Sequence, residues 1–98
     1  MQCLSEDFSA QLQTLTELSS HKNGDAHSQK LLEMISSHSK EIQELYFAHN
    51  PHFALETADL LILCLELLIE EGYDIDETIT KALPRFYNKL QHPVEDVL

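Results

Sequence analysis

The sequence has few residues that interrupt helices and no cysteine pattern typical of a disulfide framework or a zinc site. Its 98 residues include two glycines, three prolines and no tryptophan. Its two cysteines, Cys3 and Cys64, lie far apart in the chain and belong to no CxxC or Cys/His pattern. Because disulfide-poor chains are typical of reducing compartments, we expect a cytoplasmic protein.

Basic residues and long apolar runs are also scarce. Six Lys and Arg against seventeen Asp and Glu give a net charge of −11, which opposes binding to nucleic-acid phosphates. The longest apolar run, residues 60–69, contains Glu66 and is too short to cross a membrane, and the N-terminus has no signal-peptide pattern. We expect neither a nucleic-acid nor a membrane partner. The acidic excess fits a solvated surface or a protein that gathers divalent cations.

Apolar residues recur at helical spacing, and no stretch alternates between apolar and polar residues as a strand does. This pattern predicts an all-α fold, an antiparallel bundle of about four helices. We predict one domain over 1–98, with an N-terminal helix and turn in 1–24, the core helices in 25–91 and a tail in 92–98. A chain this short buries a limited core, which favours help from a partner subunit.

Residues that favour helix ends set the predicted limits of the first two helices. The first is expected over about 5–20, with Ser5 as its N-cap. Its narrow apolar stripe consists of Phe8, Leu12, Leu15 and Leu18. Asp25 or Ser28 is expected to cap the second helix, which should fray near His49.

The third helix is predicted to be the central one. Asn50 and Pro51 are expected to begin it, over about 51–71, and Gly72 to end it. From residue 60 to residue 69 it is apolar around most of its circumference, so one neighbouring layer cannot cover it. We therefore expect the chain to assemble as a dimer or tetramer.

The fourth helix is expected to begin at a cap formed by Asp74 or Asp76. Its apolar positions are Ile79, Ala82, Leu83 and Phe86. Pro84 lies within this pattern. Because proline lacks a backbone donor and clashes with the preceding turn, we expect the helix to be kinked or restarted there.

Two pairs of acidic residues share a spacing of three: Glu41 with Glu44 on the second helix, and Glu56 with Asp59 on the third. Each pair projects from one helix face. The connector between the pairs holds the helix break, so the two helices should pack antiparallel and the four carboxylates can converge. Like charges in such a cluster oppose one another. A bound Mg²⁺, or Mn²⁺, would compensate them, and Mg²⁺ commonly shares its ligands with substrate phosphates.

One such pair alone is more often a solvated helix face than a metal site. Asp59 directly precedes the apolar stretch of the third helix, where an unpaired charge is costly. That position favours the metal interpretation for the set of four.

Three segments together resemble a known family. They read EIQEL at 41–45, LETADLL at 55–61, and EGYDI at 71–75 leading into TITK at 78–81. Over about 31–90 the chain resembles the MazG-like all-α nucleoside-triphosphate pyrophosphohydrolases. The resemblance implies that Glu41, Glu44, Glu56 and Asp59 hold Mg²⁺ and that water attacks a nucleotide to release a monophosphate and pyrophosphate. The sequence departs from the family pattern at Lys40 and Leu55, where family members often carry a second acid.

The resemblance also implies substrate contacts. Basic or amide residues on the last helix, here Lys81, Arg85 and Asn88, would reach the phosphates, with Lys81 favoured because Pro84 disturbs the register that follows it. A nucleotide site needs an apolar slot beside its metal, and Phe53 and Tyr46 are the aromatic residues nearest the acids in sequence. Aromatic residues at helical spacing are also common in protein cores.

Two alternatives stay open at this point. A non-enzymatic acidic helical interaction or adaptor protein would use the acidic face for a basic partner and the central helix for dimerisation. A pyrophosphohydrolase acting on phosphoribosyl-ATP would share the helices and the acids. The six histidines show no zinc-binding spacing, so we expect carboxylates to be the metal ligands.

Overall fold

The computed structural model describes residues 4–91, which form four α-helices and no strand. The helices are α1 (Glu6–Asn23), α2 (His27–Phe47), α3 (Phe53–Glu70) and α4 (Ile75–Gln91), with a 3₁₀ turn at Gly24–Ala26 between α1 and α2. The all-α prediction is confirmed. The predicted tail at 92–98 and Cys3 lie outside the described residues. No helix in the described part of the chain is both long and apolar enough to span a membrane.

Two of the predicted N-caps are confirmed. The backbone N–H of Phe8 donates to Ser5 Oγ at 3.0 Å, and the N–H of Glu77 donates to Asp74 Oδ1 at 2.9 Å. Both bonds satisfy amides of a first helical turn that have no partner within the helix. The predicted starts of α1 and α4 are therefore right within a residue or two.

The junction of α1 and α2 differs from the prediction. α1 continues to Asn23, and α2 begins at His27 without a side-chain cap, so the expected cap at Asp25 or Ser28 is wrong. The 3₁₀ turn keeps the chain helical across the junction, and the His27 N–H donates to the Gly24 carbonyl. Ser28 instead donates its hydroxyl to Glu71 Oε2, which ties the start of α2 to the end of α3.

α2 and α3 end in the same kind of turn. After α2, His49 adopts a positive φ of 56°, and the N–H of Asn50 donates to the Leu45 carbonyl at 2.9 Å. After α3, Gly72 has φ 86°, and the N–H of Tyr73 donates to the Leu68 carbonyl at 2.9 Å. These are Schellman turns, which satisfy carbonyls left open at a helix C-terminus. The predicted end of α3 at Gly72 is confirmed.

The start of α3 is two residues later than predicted. Pro51 and His52 form a turn, and the first helical residue is Phe53. Asn50 directs this turn, because its Oδ1 accepts the His52 N–H at 2.9 Å and its carbonyl accepts the Phe53 N–H at 3.2 Å. Pro51 therefore belongs to the connector and is not the first residue of the helix.

The core lies around α3, which contacts each of the other three α-helices. Its closest partner is α2, and the connector of residues 48–52 makes the two helices a hairpin. The fully buried apolar side chains are few: Leu12, Leu31, Leu63 and Leu65. The central position predicted for this helix is confirmed.

The buried face of α1 is more polar than predicted. Leu12 and Thr16 are 2% and 3% exposed, whereas Leu15 and Leu18 are 41% and 66% exposed. The predicted four-residue apolar stripe is therefore wrong for its last two members. Thr16 tolerates burial because its hydroxyl donates to the Leu12 carbonyl at 2.8 Å.

α4 is the least covered helix of the bundle. It contacts α3 alone among the helices, and it carries exposed large side chains at Leu83, Phe86, Tyr87 and Leu90. Helical structure runs through Pro84 without interruption, so the predicted restart there is wrong. The radius of gyration, 15.4 Å, exceeds the roughly 13 Å of a compact domain of about 100 residues. The single chain is thus an extended arrangement with an uncovered last helix.

Candidate metal centre

Two stripes of side chains meet along the seam between α2 and α3. On α2, Leu31, His38 and Leu45 are seven residues apart, which brings each within about 20° of the previous one around the helix. On α3, Glu56 and Leu63 have the same spacing. Leu31 and Leu63 are buried, so each stripe faces the core. His38 and Glu56 therefore lie at the helix interface, because their spacing places them on the same helix faces as the buried leucines.

At this seam the structure brings together one imidazole and two carboxylates. Ligand atoms of His38, Glu56 and Asp59 all lie within 4.8 Å of one another. Within residues 4–91, no other group of three or more His, Cys, Asp and Glu side chains comes as close. His38 Nε2 lies 3.5 Å from Glu56 Oε2. We call these three residues the His38 cluster.

A backbone contact fixes the orientation of His38. Its Nδ1 lies 2.9 Å from the Met34 carbonyl oxygen one turn earlier in α2. A carbonyl only accepts, so Nδ1 must carry a hydrogen and donate it. In the neutral ring Nε2 then has a free lone pair, and this lone pair is directed at the two carboxylates.

Glu56 is the more enclosed of the two acids in the cluster. Its side chain is 12% exposed, and Oε2 is buried without a hydrogen-bond partner among the described residues. His52 Nε2 lies 4.0 Å from the other oxygen, Oε1. A buried carboxylate oxygen without a donor is costly, which makes a missing cation a natural explanation for its position.

The four predicted carboxylates are divided by the structure. Glu56 and Asp59 belong to the His38 cluster, with Asp59 exposed, while Glu41 and Glu44 are exposed on α2 and lie outside it. Helical geometry accounts for this difference, because Glu41 is about 60° and Glu44 about 120° around α2 from His38. The sequence placed Asp59 in the costly environment, whereas in the structure Asp59 is exposed and Glu56 is the more enclosed acid of that pair.

The two predicted aromatic residues share a cavity at the hairpin turn. Tyr46 and Phe53 pack edge to face, with ring centroids 5.6 Å apart. The open cavity has a volume of about 460 Å³ and is lined by Tyr46, Phe47, His49, Asn50, Pro51 and Phe53. This volume is within the range of small-molecule sites. Because Phe53 lies one turn before Glu56, the cavity and the His38 cluster occupy the same end of the hairpin.

The predicted phosphate contacts are all exposed on α4. Lys81 pairs with Glu77 at 2.9 Å, and Arg85 and Asn88 are likewise on the surface. Lys89 lies over the Phe86 ring, 5.9 Å from its centroid. Within a single chain α4 contacts only α3 among the helices, so these side chains are available to another molecule.

His38 is the site residue that the sequence interpretation missed. Zinc sites are predicted from histidines at fixed spacings from one another, and His38 has no such partner. The available signal was its spacing from Leu31 and Leu45, which put it on the core-facing stripe, together with its position one turn before Glu41.

Cys64 on α3 is not a candidate nucleophile. Burial raises the pKa of its thiol, so the reactive thiolate is disfavoured at neutral pH. The chemistry available at this end of the hairpin therefore belongs to carboxylates and imidazole.

Comparisons of the chain with family models, curated proteins and solved structures found no match. The MazG-like resemblance thus rests on the segments at 41–45, 55–61 and 71–81, and the function is argued from the site itself.

Proposed function

We propose that the protein is a Mg²⁺-dependent nucleotide pyrophosphohydrolase that converts nucleoside triphosphates to monophosphates and pyrophosphate. The observation that carries this proposal is the Glu56 carboxylate beside Asp59, whose Oε2 is buried and lacks a hydrogen-bond partner among the described residues. Carboxylate oxygens are the ligands that Mg²⁺ prefers, so the residues present fit the ion. When bound, the ion would supply charge neutralisation at the phosphates and activation of water.

Each group of residues has a distinct role in the proposed reaction. Glu56 and Asp59 hold the metal. Of the exposed pair Glu41 and Glu44 on α2, Glu41 is the better placed to orient the attacking water, because it is about 60° from His38 around the helix and Glu44 is about 120° away. Tyr46 and Phe53 offer ring faces and edges to a nucleobase in the cavity at the hairpin turn. Because base contacts of this kind are apolar, they do not by themselves select one base.

We also propose that two or more copies assemble through α4. Its exposed Leu83, Phe86 and Leu90 follow the spacing of an apolar helix seam that lacks a partner in the single chain. Three of the six basic residues, Lys81, Arg85 and Lys89, lie on this helix, and no acid occurs from residue 78 to residue 91. A basic, apolar helix is complementary to the acidic remainder of a second copy. Assembly would also bring phosphate-binding cations toward a carboxylate site.

The reaction is tested with purified full-length protein, Mg²⁺ and a panel of ribo- and deoxynucleotides, by measuring release of pyrophosphate. We expect turnover that Glu56→Gln and Asp59→Asn each abolish, because either change removes a charged metal ligand. Glu33→Gln, at an exposed acid elsewhere on α2, is the matched control and should leave the rate unchanged. Full activity in both ligand variants would remove these residues from the mechanism.

Thermal melting separates the enzyme from an acidic adaptor protein. A metal and nucleotide that bind the folded state must raise the melting temperature by mass action. No rise at saturating Mg²⁺ with a non-hydrolysable nucleotide, together with no turnover, would favour the adaptor.

Assembly is tested separately by light scattering of the intact protein after size-exclusion chromatography. Phe86→Asp places a charge in the exposed apolar face of α4, and we expect it to weaken assembly about 30-fold or more. Asn88→Asp, an added charge at an exposed position of the same helix outside that apolar seam, controls for charge alone. A wild-type protein that is monomeric at all concentrations would contradict the proposal.

A further inference from the structure

We infer that His38 is itself a metal ligand, and that the site takes a first-row transition ion such as Mn²⁺ in preference to Mg²⁺. The inference rests on the proposed function only in sharing Glu56 and Asp59, and it does not depend on the reaction. It adds an imidazole where the sequence suggested oxygen ligands alone.

The first argument is the direction of the His38 lone pair. Because Nδ1 donates to the Met34 carbonyl, neutral His38 directs an unprotonated Nε2 at the oxygens of Glu56 and Asp59. With His38 neutral, two electron-rich acceptors 3.5 Å apart repel one another, and a cation bound between them removes that repulsion. Metal-binding histidines commonly have this arrangement, in which the second ring nitrogen donates to a carbonyl and fixes the ring.

The second argument is distance and charge. Ligands about 2.1 Å from a metal lie about 3.0 Å apart when adjacent in an octahedron, so the 3.5 Å between His38 Nε2 and Glu56 Oε2 requires little movement. Asp59 is exposed, so its carboxylate can rotate to close the remaining distance. Two carboxylates and a neutral imidazole also balance the charge of a divalent ion.

The third argument concerns the choice of ion. Mg²⁺ prefers oxygen and retains water, whereas imidazole nitrogen favours transition ions. Glu56 Oε2 is buried without a hydrogen-bond partner in the described chain. The bound ion must coordinate this oxygen directly to remove the free-energy cost of burying it. One nitrogen and two oxygens on neighbouring helices form a partial coordination sphere with open positions for water or a phosphate.

The test uses the intact protein and Mn²⁺, without nucleotide. Pulsed electron paramagnetic resonance of the bound Mn²⁺ should show ¹⁴N modulation from a coordinated imidazole. His38→Gln should abolish this modulation and weaken Mn²⁺ binding about tenfold or more, while Mg²⁺ affinity changes less than about threefold. Circular dichroism of each variant verifies that the helices are retained.

His52→Gln is the matched control, because His52 Nε2 lies 4.0 Å from Glu56 yet is outside the His38 cluster. It should keep the ¹⁴N modulation and the Mn²⁺ affinity. The inference would be overturned by bound Mn²⁺ that shows no ¹⁴N modulation, or by modulation that persists in His38→Gln. It would also be overturned if the protein bound no Mn²⁺ at all, which would leave a protonated His38 paired with Glu56. Mg²⁺-dependent turnover without a nitrogen ligand would preserve the proposed function, and a nitrogen ligand without turnover would preserve only the metal site.

Discussion

Two histidine–glutamate pairs lie at different levels of the α2–α3 hairpin, and they differ in what surrounds the imidazole. At one, His38 Nε2 is 3.5 Å from Glu56; at the other, His27 Nε2 is 3.7 Å from Glu70. His27 is 1% exposed, and the Asn23 side-chain nitrogen lies 2.9 Å from its Nδ1. An amide nitrogen donates, so the hydrogen of neutral His27 is on Nε2 and is directed at Glu70.

The difference teaches that the partner of Nδ1 decides what a histidine can do with Nε2. Asn23 donates to His27 and makes Nε2 a donor, which faces a carboxylate at 3.7 Å but makes no hydrogen bond to it. The Met34 carbonyl accepts from His38, so in the neutral ring Nε2 is an acceptor that the neighbouring carboxylates cannot satisfy. The carboxylate beside His27 therefore faces a ring hydrogen, whereas the carboxylates beside His38 face a lone pair, which is the arrangement that the proposed metal site requires.

The largest expected difference between the two pairs is in how much each histidine contributes to the free energy of unfolding, with the larger contribution at His27 in the first turn of α2. His27→Ala should cost about 3 kcal/mol, because it leaves a buried cavity and removes the partner of Asn23. His38→Ala, at a position 26% exposed, should cost about 1 kcal/mol or less in the absence of metal. Urea unfolding followed by circular dichroism measures both. Equal losses would mean that the two pairs have the same structural role.

Removing a carboxylate charge is expected to change the free energy of unfolding by a smaller amount and in the opposite direction. Without metal, Glu56→Gln should stabilise the protein by about 0.5–1 kcal/mol, because it removes a buried charge kept for function. Glu70→Gln should give no such gain, since the Glu70 side chain is 30% exposed and its charge is solvated. Thermal melts in the presence of a chelator compare the two variants. A destabilised Glu56→Gln would show that this carboxylate is satisfied by His38 alone.

The sequence predicted the helices well where a residue has one strong local role. Ser5 and Asp74 cap helices because their side-chain oxygens accept from amides of the first turn. Gly72 ends a helix because a residue without a side chain adopts a positive φ readily. The failures occurred at Asp25 and Leu15. There the outcome depended on a 3₁₀ turn and on which face of α1 meets α3, and both are set by tertiary packing.

The candidate site was predictable only in part. The spacing of three identified Glu56 and Asp59, but the register that brings His38 beside them depends on the length of the connector between α2 and α3. Glu66 differs, because its place within the apolar run at 60–69 indicates enclosure, and in the structure it is 3% exposed with Oε1 lacking a hydrogen-bond partner in the described residues.

The two left-handed residues, His49 and Gly72, bracket α3 and have a consequence for how this protein can evolve. Each reverses the chain within one turn, so neither junction has slack to absorb an extra residue. An insertion in the connector at 48–52 would rotate α3 against α2 and separate His38 from Glu56. Gly24, in the turn between α1 and α2, also has a positive φ of 66°, so a side chain there would be strained, but open space surrounds its α-carbon and leaves room for inserted residues. We therefore expect related proteins to have insertions and deletions at the α1–α2 turn, and to conserve the length of the α2–α3 hairpin.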